Sequence, residues 1–340
     1  MLNSFIKAIK EVHANITGNI EAFLLSEHLE EVFPKGKFRF IRVKHHKTGL
    51  KTGVLHHYPT SFEDLTEKLD RLEAITGCKI VLVKTKNPSL TVLKFYEKDL
   101  PRLIEWSEAN FEANKDPLNP VLGVNLDGKL VKINFEDVKS HNLLVAGLPG
   151  TGKTMLLKLI LKQLLSNTEL NKVYVFDFKG YEFNAIQAIN DVNQAILTLK
   201  QLNKLINGKQ YKGRTRHFVI IDEFAELSTN KNALPLVLRL LRMGRAYKIH
   251  CILCTQRPDN QVLPGSLKAL IPATIAFQVR NNVNSVILLD HTGASKLGEI
   301  RGRAIYQAGY RETLIQVPLV CVTNNKVNNE PNGGVLIEPQ

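Results

Sequence analysis

The stretch Gly147-Leu148-Pro149-Gly150-Thr151-Gly152-Lys153-Thr154 decides the fold. It fits the pattern G-x-x-x-x-G-K-[ST] in full. Before it, NLLVA reads as a buried strand; after it, TMLLKLILKQLLSN places leucines at helical spacing. Each residue type has a task. Gly147, Gly150 and Gly152 let the backbone bend until its N–H groups point at phosphate oxygens. The following helix adds the positive end of its dipole. Lys153 reaches the β and γ phosphates as a point charge, and the Thr154 hydroxyl is a ligand for Mg2+. Gly147, Leu148, Pro149, Gly150, Thr151, Gly152, Lys153, Thr154 and Met155 are therefore the expected ATP-binding set.

A second motif lies downstream. Phe218-Val219-Ile220-Ile221-Asp222-Glu223 is an apolar run ending in two carboxylates. A strand would bury the run and deliver the acids to its carboxyl edge, where open α/β sheets bind ligands. Asp222 is expected to hold Mg2+, directly or through water. Glu223 is expected to orient and polarise the attacking water. An ion-binding acid and a separate base imply hydrolysis of ATP, not binding alone. A third run, HCILCTQ, ends at Gln256, placed to sense the γ-phosphate or position the water.

Around these motifs, NLLVAG, VYVFDF, HFVIIDEF, IHCILCTQ and TIAFQVR alternate with long helical stretches. Continuous apolar strands between helices predict a mainly parallel sheet covered on both faces, an α/β fold around the P-loop. Upstream, SFEDLTEKLDRLEAITG (61–77) opens with a Ser cap, sets Leu65, Leu69, Leu72 and Ile75 on one helical face, and stops at Gly77. Two β-rich runs follow, CKIVLVKT and LTVLKFY, split by the turn signal KNPS. The segment NKDPLNP, beginning at Asn114, reads as a linker. The expected organisation is a small N-terminal α+β module over 1–115, an ATPase domain over 116–323 and a loose tail over 324–340.

Composition narrows the function classes. The 340 residues are 44% hydrophobic and 23% charged, which excludes disorder for the bulk of the chain. Four cysteines cannot form a disulfide framework, so a reducing, cytoplasmic setting is expected. No apolar run approaches the ~18 residues a membrane span needs, and the N-terminus lacks the apolar core of a signal peptide. The net charge of +13 suits a polyanion, nucleic acid before an acidic membrane surface. A basic enzyme without such a partner is the plainer reading.

Beyond the nucleotide motifs, four further segments carry a family signature. They are GRAYKIHCILCTQRP (244–258), IPATIAFQV (271–279), LDHTGA (289–294) and RGRA (301–304). With them the chain resembles the FtsK/SpoIIIE group of DNA translocases, within the FtsK–HerA class of RecA-like motors. The likeness runs from about Leu122 to Leu319, and 61–95 resembles the small domain that precedes the motor in that family. The resemblance implies a RecA-like P-loop core and a hexameric ring that threads double-stranded DNA and moves along it at the expense of ATP. The chain reads as a compact version without a membrane anchor or a winged-helix module, similar to those of plasmids, phages and conjugative elements. A relaxase or a replication initiator would then be a partner. The rival readings are the energy-coupling ATPase of a secretion or conjugation apparatus and a replicative helicase.

Other signals divide between function and scaffold. Cys251 and Cys254 lie three apart on a strand and so face opposite sides, which argues against a shared metal. The pairs His45-His46 and His56-His57 flank a basic turn and read either as a metal hairpin or as a solvated basic loop. Arg239, Arg242 and Arg245 stack along one helical face. That face is either solvated or aimed at a neighbouring subunit's ATP, with Arg245 as the trans-acting residue. Lys179 and Lys231 lie in loops expected to face a ring's channel and contact the DNA backbone.

Overall fold

The computed structural model describes residues 29–34, 36–46, 50–107, 110, 116, 118–183, 186–206 and 213–320. The chain divides into two units, Met1–Asp99 and Leu100–Gln340. The division precedes the boundary expected at 115 because residues 100–106 pack into the second unit. Trp106 is buried in its core, and Arg303 donates to the Leu100 carbonyl. The segments 1–28 and 321–340 lie outside the described residues, as does most of 111–117.

The N-terminal unit pairs β1 (Lys37–His45) with β2 (Leu50–Tyr58), and β3 (Lys79–Lys84) with β4 (Leu90–Tyr96). The four strands form one antiparallel sheet in the order β1-β2-β4-β3. Helices α1 (Phe62–Glu67) and α2 (Leu69–Thr76) connect the two hairpins. Ser61 and Asp64 cap α1 reciprocally, and Gly77 closes α2 at φ 64°. The single helix expected over this stretch is broken. At Lys68 the backbone leaves α geometry, while the ammonium donates to the Val32 carbonyl at 3.2 Å and covers the Phe33 ring. Leu65 and Leu72 are buried with Phe38, Phe40, Leu55, Leu93 and Phe95. The two histidine pairs do not meet, because the register sets His57 opposite Phe38 and His45 opposite Lys51, at opposite ends of the hairpin. The His57 ring bonds instead to Thr60 O and Thr91 Oγ1.

The second unit is built on one nine-stranded sheet. Its strands are β6 (Val121–Asn125), β7 (Leu130–Lys132), β8 (Leu143–Ala146), β9 (Asn171–Phe176), β10 (Arg216–Ile221), β11 (Ile249–Thr255), β12 (Ala273–Phe277), β13 (Arg303–Ala308) and β14 (Arg311–Gln316). A separate pair joins β5 (Glu105–Trp106) to β15 (Leu319–Val320). The order is β7-β6-β14-β13-β12-β8-β11-β10-β9. The five predicted apolar runs supply the parallel part, β12-β8-β11-β10-β9. The sheet is nevertheless mixed, since β13, β14, β6 and β7 extend it antiparallel.

Burial on both sides explains the apolar runs. Helix α3 (Lys153–Leu165) lays Leu156, Leu157, Ile160 and Leu164 on one face, against Leu143, Val145, Ile220 and Ile252. Helices α4 (Val192–Leu205) and α6 (Leu234–Met243) cover the other face, against Leu144, Val219, Cys251 and Leu253. Cys251 and Cys254 thus fall in separate cores on opposite sheet faces, as their spacing requires. Among the described residues of the unit are three shorter helices, α5 (Ala225–Ser228), α7 (Gly265–Lys268) and α8 (Asn282–Leu289).

Candidate ATPase site

Strand order brings the motifs together. From β8 the chain crosses to β9 on one side, while β12 lies on the other, so β8 marks a switch in the direction of strand addition. Such a switch opens a crevice at the carboxyl edge. The Gly147–Thr154 loop leaves β8 there. Strand β11 lies between β8 and β10. Its polar end, Thr255-Gln256, therefore stands between the loop and the acids at the end of β10.

The loop is held by its own glycines and by neighbouring strands. Gly150 and Gly152 adopt φ 75° and 118°, a region that disfavours side chains. A Cβ on Gly147 would meet Phe277 Cβ at 2.6 Å. Leu148 N–H donates to the Gln278 carbonyl at 2.8 Å, and Gly302 N–H to the Thr151 carbonyl at 2.8 Å. The RGRA segment thus pins the loop from β13. Lys153 is 5% exposed and donates to the Leu148 carbonyl at 2.7 Å. Burial lowers its pKa, against the pull of the Glu223 and Asp222 carboxylates. Thr154 and Met155 follow in the first turn of α3.

The two acids have different surroundings. Asp222 is 3% exposed, and its Oδ2 has no hydrogen-bond partner. Burial raises its pKa, and the Lys179 ammonium, 3.6 Å from Oδ2, works in the opposite direction. A buried carboxylate oxygen without a hydrogen bond, at the sheet edge that carries the phosphate-binding loop, fits a divalent cation. Glu223 is half-buried and accepts from Thr255 Oγ1 at 2.8 Å. The Gln256 N–H also points at this carboxylate, 3.3 Å from Oε2. Gln256 thus enters the site through its backbone as well as by position.

Lys179, expected to contact DNA, lies 3.6 Å from Asp222 Oδ2. Its ammonium is turned to Asp222 in the nucleotide site. Burial alone would lower its pKa, but Asp222, Glu182 and Glu223 raise it. The loop that carries it is organised by buried Asp177, which accepts from the N–H groups of Lys179, Gly180, Glu182 and Phe183. Sequence reasoning missed this pairing, because it depends on β9 lying beside β10. Lys231 is exposed in the turn between α5 and α6. Arg242 is exposed at the end of α6, and Arg245 is exposed in the 3₁₀ turn Gly244–Tyr247. This turn precedes β11, so Arg245 sits at the amino edge of the sheet, opposite the phosphate loop. Its charge helps to lower the pKa of His141, after the larger effect of burial.

An AAA domain family model matches residues 138–263. The chain is 28% identical over 278 residues to a DNA translocase FtsK of Lactiplantibacillus plantarum, covering 70% of this chain and 34% of that protein. It is 29% identical over 290 residues to the DNA translocase SftA of Bacillus subtilis, covering 74% and 30% respectively. The chain carries a phosphate-binding loop within its AAA-domain match and is similar to DNA translocases of the FtsK type. It spans about a third of the length of these relatives. Among solved structures, the pCW3 conjugation coupling protein TcpA, in its monomer form with ATPγS, matches with a TM-score of 0.59 at 24% identity, covering 88% of this chain and 94% of that one. The cytoplasmic domain of the Thermomonospora curvata type VII secretion ATPase EccC matches with a TM-score of 0.54 at 17% identity, covering 60% and 29%. These two likenesses show the fold. Among the described residues, no helix is long and apolar enough to cross a membrane.

Proposed function

We propose that this FtsK-type ATPase is a double-stranded DNA translocase of a mobile genetic element, working as a homo-oligomeric ring in the cytoplasm. The observation that carries the reading is the convergence of Lys153, Asp222 and Glu223 at one sheet edge, in a chain whose relatives are named DNA translocases. The net charge of +13 is consistent with a DNA partner. In this reading Thr154 and Asp222 hold Mg2+, which neutralises charge on the ATP phosphates. Lys153 binds the β and γ phosphates. Glu223, oriented by Thr255, draws a proton from the attacking water. Arg245 serves the ATP of an adjacent subunit, and Lys231 contacts the DNA backbone.

The test combines hydrolysis with movement. Duplex DNA should raise the ATPase rate and ATP should drive displacement of a bound triplex strand. Lys153→Ala should lose nucleotide binding. Glu223→Gln should keep ATP bound without hydrolysing it. An ATPase indifferent to duplex, or a Glu223→Gln variant at the wild-type rate, overturns the reading. A second reading, the coupling ATPase of a conjugation or secretion apparatus, is favoured by the fold shared with TcpA and EccC. It predicts stimulation by a substrate protein instead of by naked duplex.

A further inference from the structure

The sheet of the N-terminal unit has two unlike faces. One face carries Phe38, Phe40, Leu55, Leu93 and Phe95, buried with Leu65 of α1 and Leu72 of α2. The other carries Arg39, Arg42 and Lys44, all exposed. Arg39 and Arg42 are three apart, so simple strand alternation would send them to opposite faces. A β-bulge prevents this. Arg39 pairs with His56, Phe40 with Leu55 and Arg42 with Val54, so Ile41 is the extra residue. Beyond the bulge Lys44 pairs with Thr52. The three cations therefore stand opposite alternate residues of β2, about 7 Å apart along one row. Thr52 pairs on its other side with Lys94 of β4, which widens the row into a patch.

Charge is segregated across the unit. The strands KFRFIRVKH, LKTGVLHHY, KIVLVK and LTVLKFY contain no Asp or Glu. The helices behind them carry Glu63, Asp64, Glu67, Asp70 and Glu73. Among the described residues, none of Arg39, Arg42, Lys44 and Lys94 forms an ion pair. Four cations on an open face, with every helical carboxylate on the other side, complement a polyanion. The middle of the face is aliphatic, with Val54 paired to Val92 and Val92 to Val83. Among the described residues, the exposed rings on this face are Tyr58 and His56, which sit together at one end of β2, away from Arg42 and Lys44. The row of cations and not a line of stacking rings carries the contact, which favours a duplex over a single strand.

We propose that the open face of the N-terminal sheet, built on Arg39, Arg42 and Lys44, binds the phosphate backbone of duplex DNA. The proposal rests on the duplex-DNA reading above and gives the N-terminal unit a share of the grip. Contacts of this kind are independent of sequence, as a moving motor requires.

The experiment measures binding of the full chain to a labelled random-sequence duplex over a series of salt concentrations. Arg39→Gln/Arg42→Gln/Lys44→Gln should bind at least ~10-fold more weakly near physiological salt. The slope of log K against log salt should fall by about 2.7, at about 0.9 for each of the three lost contacts. ATPase activity without DNA should be unchanged. Lys68→Gln/Lys84→Gln, on the helix side, should bind as the wild type does. A separate readout uses the unaltered protein: bound duplex should protect Lys44 and Lys94 from amine acetylation. If the wild type binds duplex but the triple variant keeps its affinity and slope, or Lys44 and Lys94 stay unprotected, the sheet face is overturned and the translocase reading stands. If the wild type binds no duplex, both fall. A triple variant impaired only toward single strands overturns the duplex as occupant.

Discussion

Thr255 donates its hydroxyl to Glu223 Oε1 across 2.8 Å, reaching from the strand between the phosphate loop and the acidic strand. The bond fixes one oxygen of the carboxylate and leaves the other facing the Gln256 N–H. In the proposed reading, a base fixed in this way takes a proton from the attacking water. Hydrogen bonds to charged groups contribute about 1.5–3 kcal/mol. Thr255→Val should therefore lower kcat roughly 10- to 100-fold with little change in nucleotide affinity. Thr255→Ser should restore most of the rate. Steady-state kinetics beside nucleotide titration separates the two effects, and loss of affinity in place of rate would count against the positioning role.

Lys179 acts on the other acid. Burial pushes the Asp222 carboxyl up, and the ammonium 3.6 Å away restrains that rise. Lys179→Met removes the restraint, so Asp222 should take up its proton at a higher pH. Asp222 serves a cation only when ionised. The acidic limb of the ATPase pH profile should therefore move to higher pH in Lys179→Met, and more Mg2+ should be needed near that limb. Lys179→Arg should leave the limb near its original position. An unmoved limb in Lys179→Met would detach the lysine from Asp222.

The contrast between these residues explains what the sequence discloses. The phosphate loop is legible because its eight residues act through local backbone geometry and the helix directly after it. The parallel strands are legible because burial on both faces leaves them continuously apolar, as in NLLVA and HFVIID. The Thr255–Glu223 bond depends on β11 inserting between β8 and β10, and the Lys179–Asp222 pair on β9 lying beside β10. Neither order is written in any local pattern. Strand β14 is half-exposed and β7 has only three residues, so RETLIQ and LVK carry no continuous apolar signal. Gly302 was visible only as part of RGRA; its contact with the Thr151 carbonyl supplies the physical reason for it.

Two histidines couple folding to pH. Burial lowers the pKa of His217 to about 4 and of His250 to about 4. Both are neutral in the fold, whereas in the unfolded chain they titrate near the ordinary value of ~6.5. Below that pH the unfolded chain binds more protons, so stability is full above about 6.5 and falls as pH drops toward 4. Each histidine adds up to ~1.4 kcal/mol per pH unit to the slope within that window. Urea unfolding at a series of pH values should show this decline, and His217→Phe should reduce its slope by about one proton while keeping a ring against Tyr174. An unchanged slope would mean that His217 charges within the fold.

Arg245 carries the most exposed prediction, because its own subunit offers it no phosphate. It lies at the amino edge of the sheet, while the loop at Gly147 leaves the carboxyl edge. The seven residues of β11 separate the two edges by about 23 Å. Any contact with ATP must therefore be made across a subunit boundary. Arginine suits that task, since its charge is permanent and its planar fork matches phosphate oxygens. In phosphoryl-transfer enzymes a group of this kind contributes roughly 10³–10⁵ in rate. Arg242, also exposed, is the neighbour that would take its place. Arg245→Ala and Lys153→Ala should each be nearly inactive alone. Mixed assemblies should regain hydrolysis, because a subunit with Lys153 intact can stand beside one that donates Arg245. Assemblies shown to be mixed by differential tagging, yet without regained activity, would return Arg245 to a solvated basic face, as would full activity in Arg245→Ala alone.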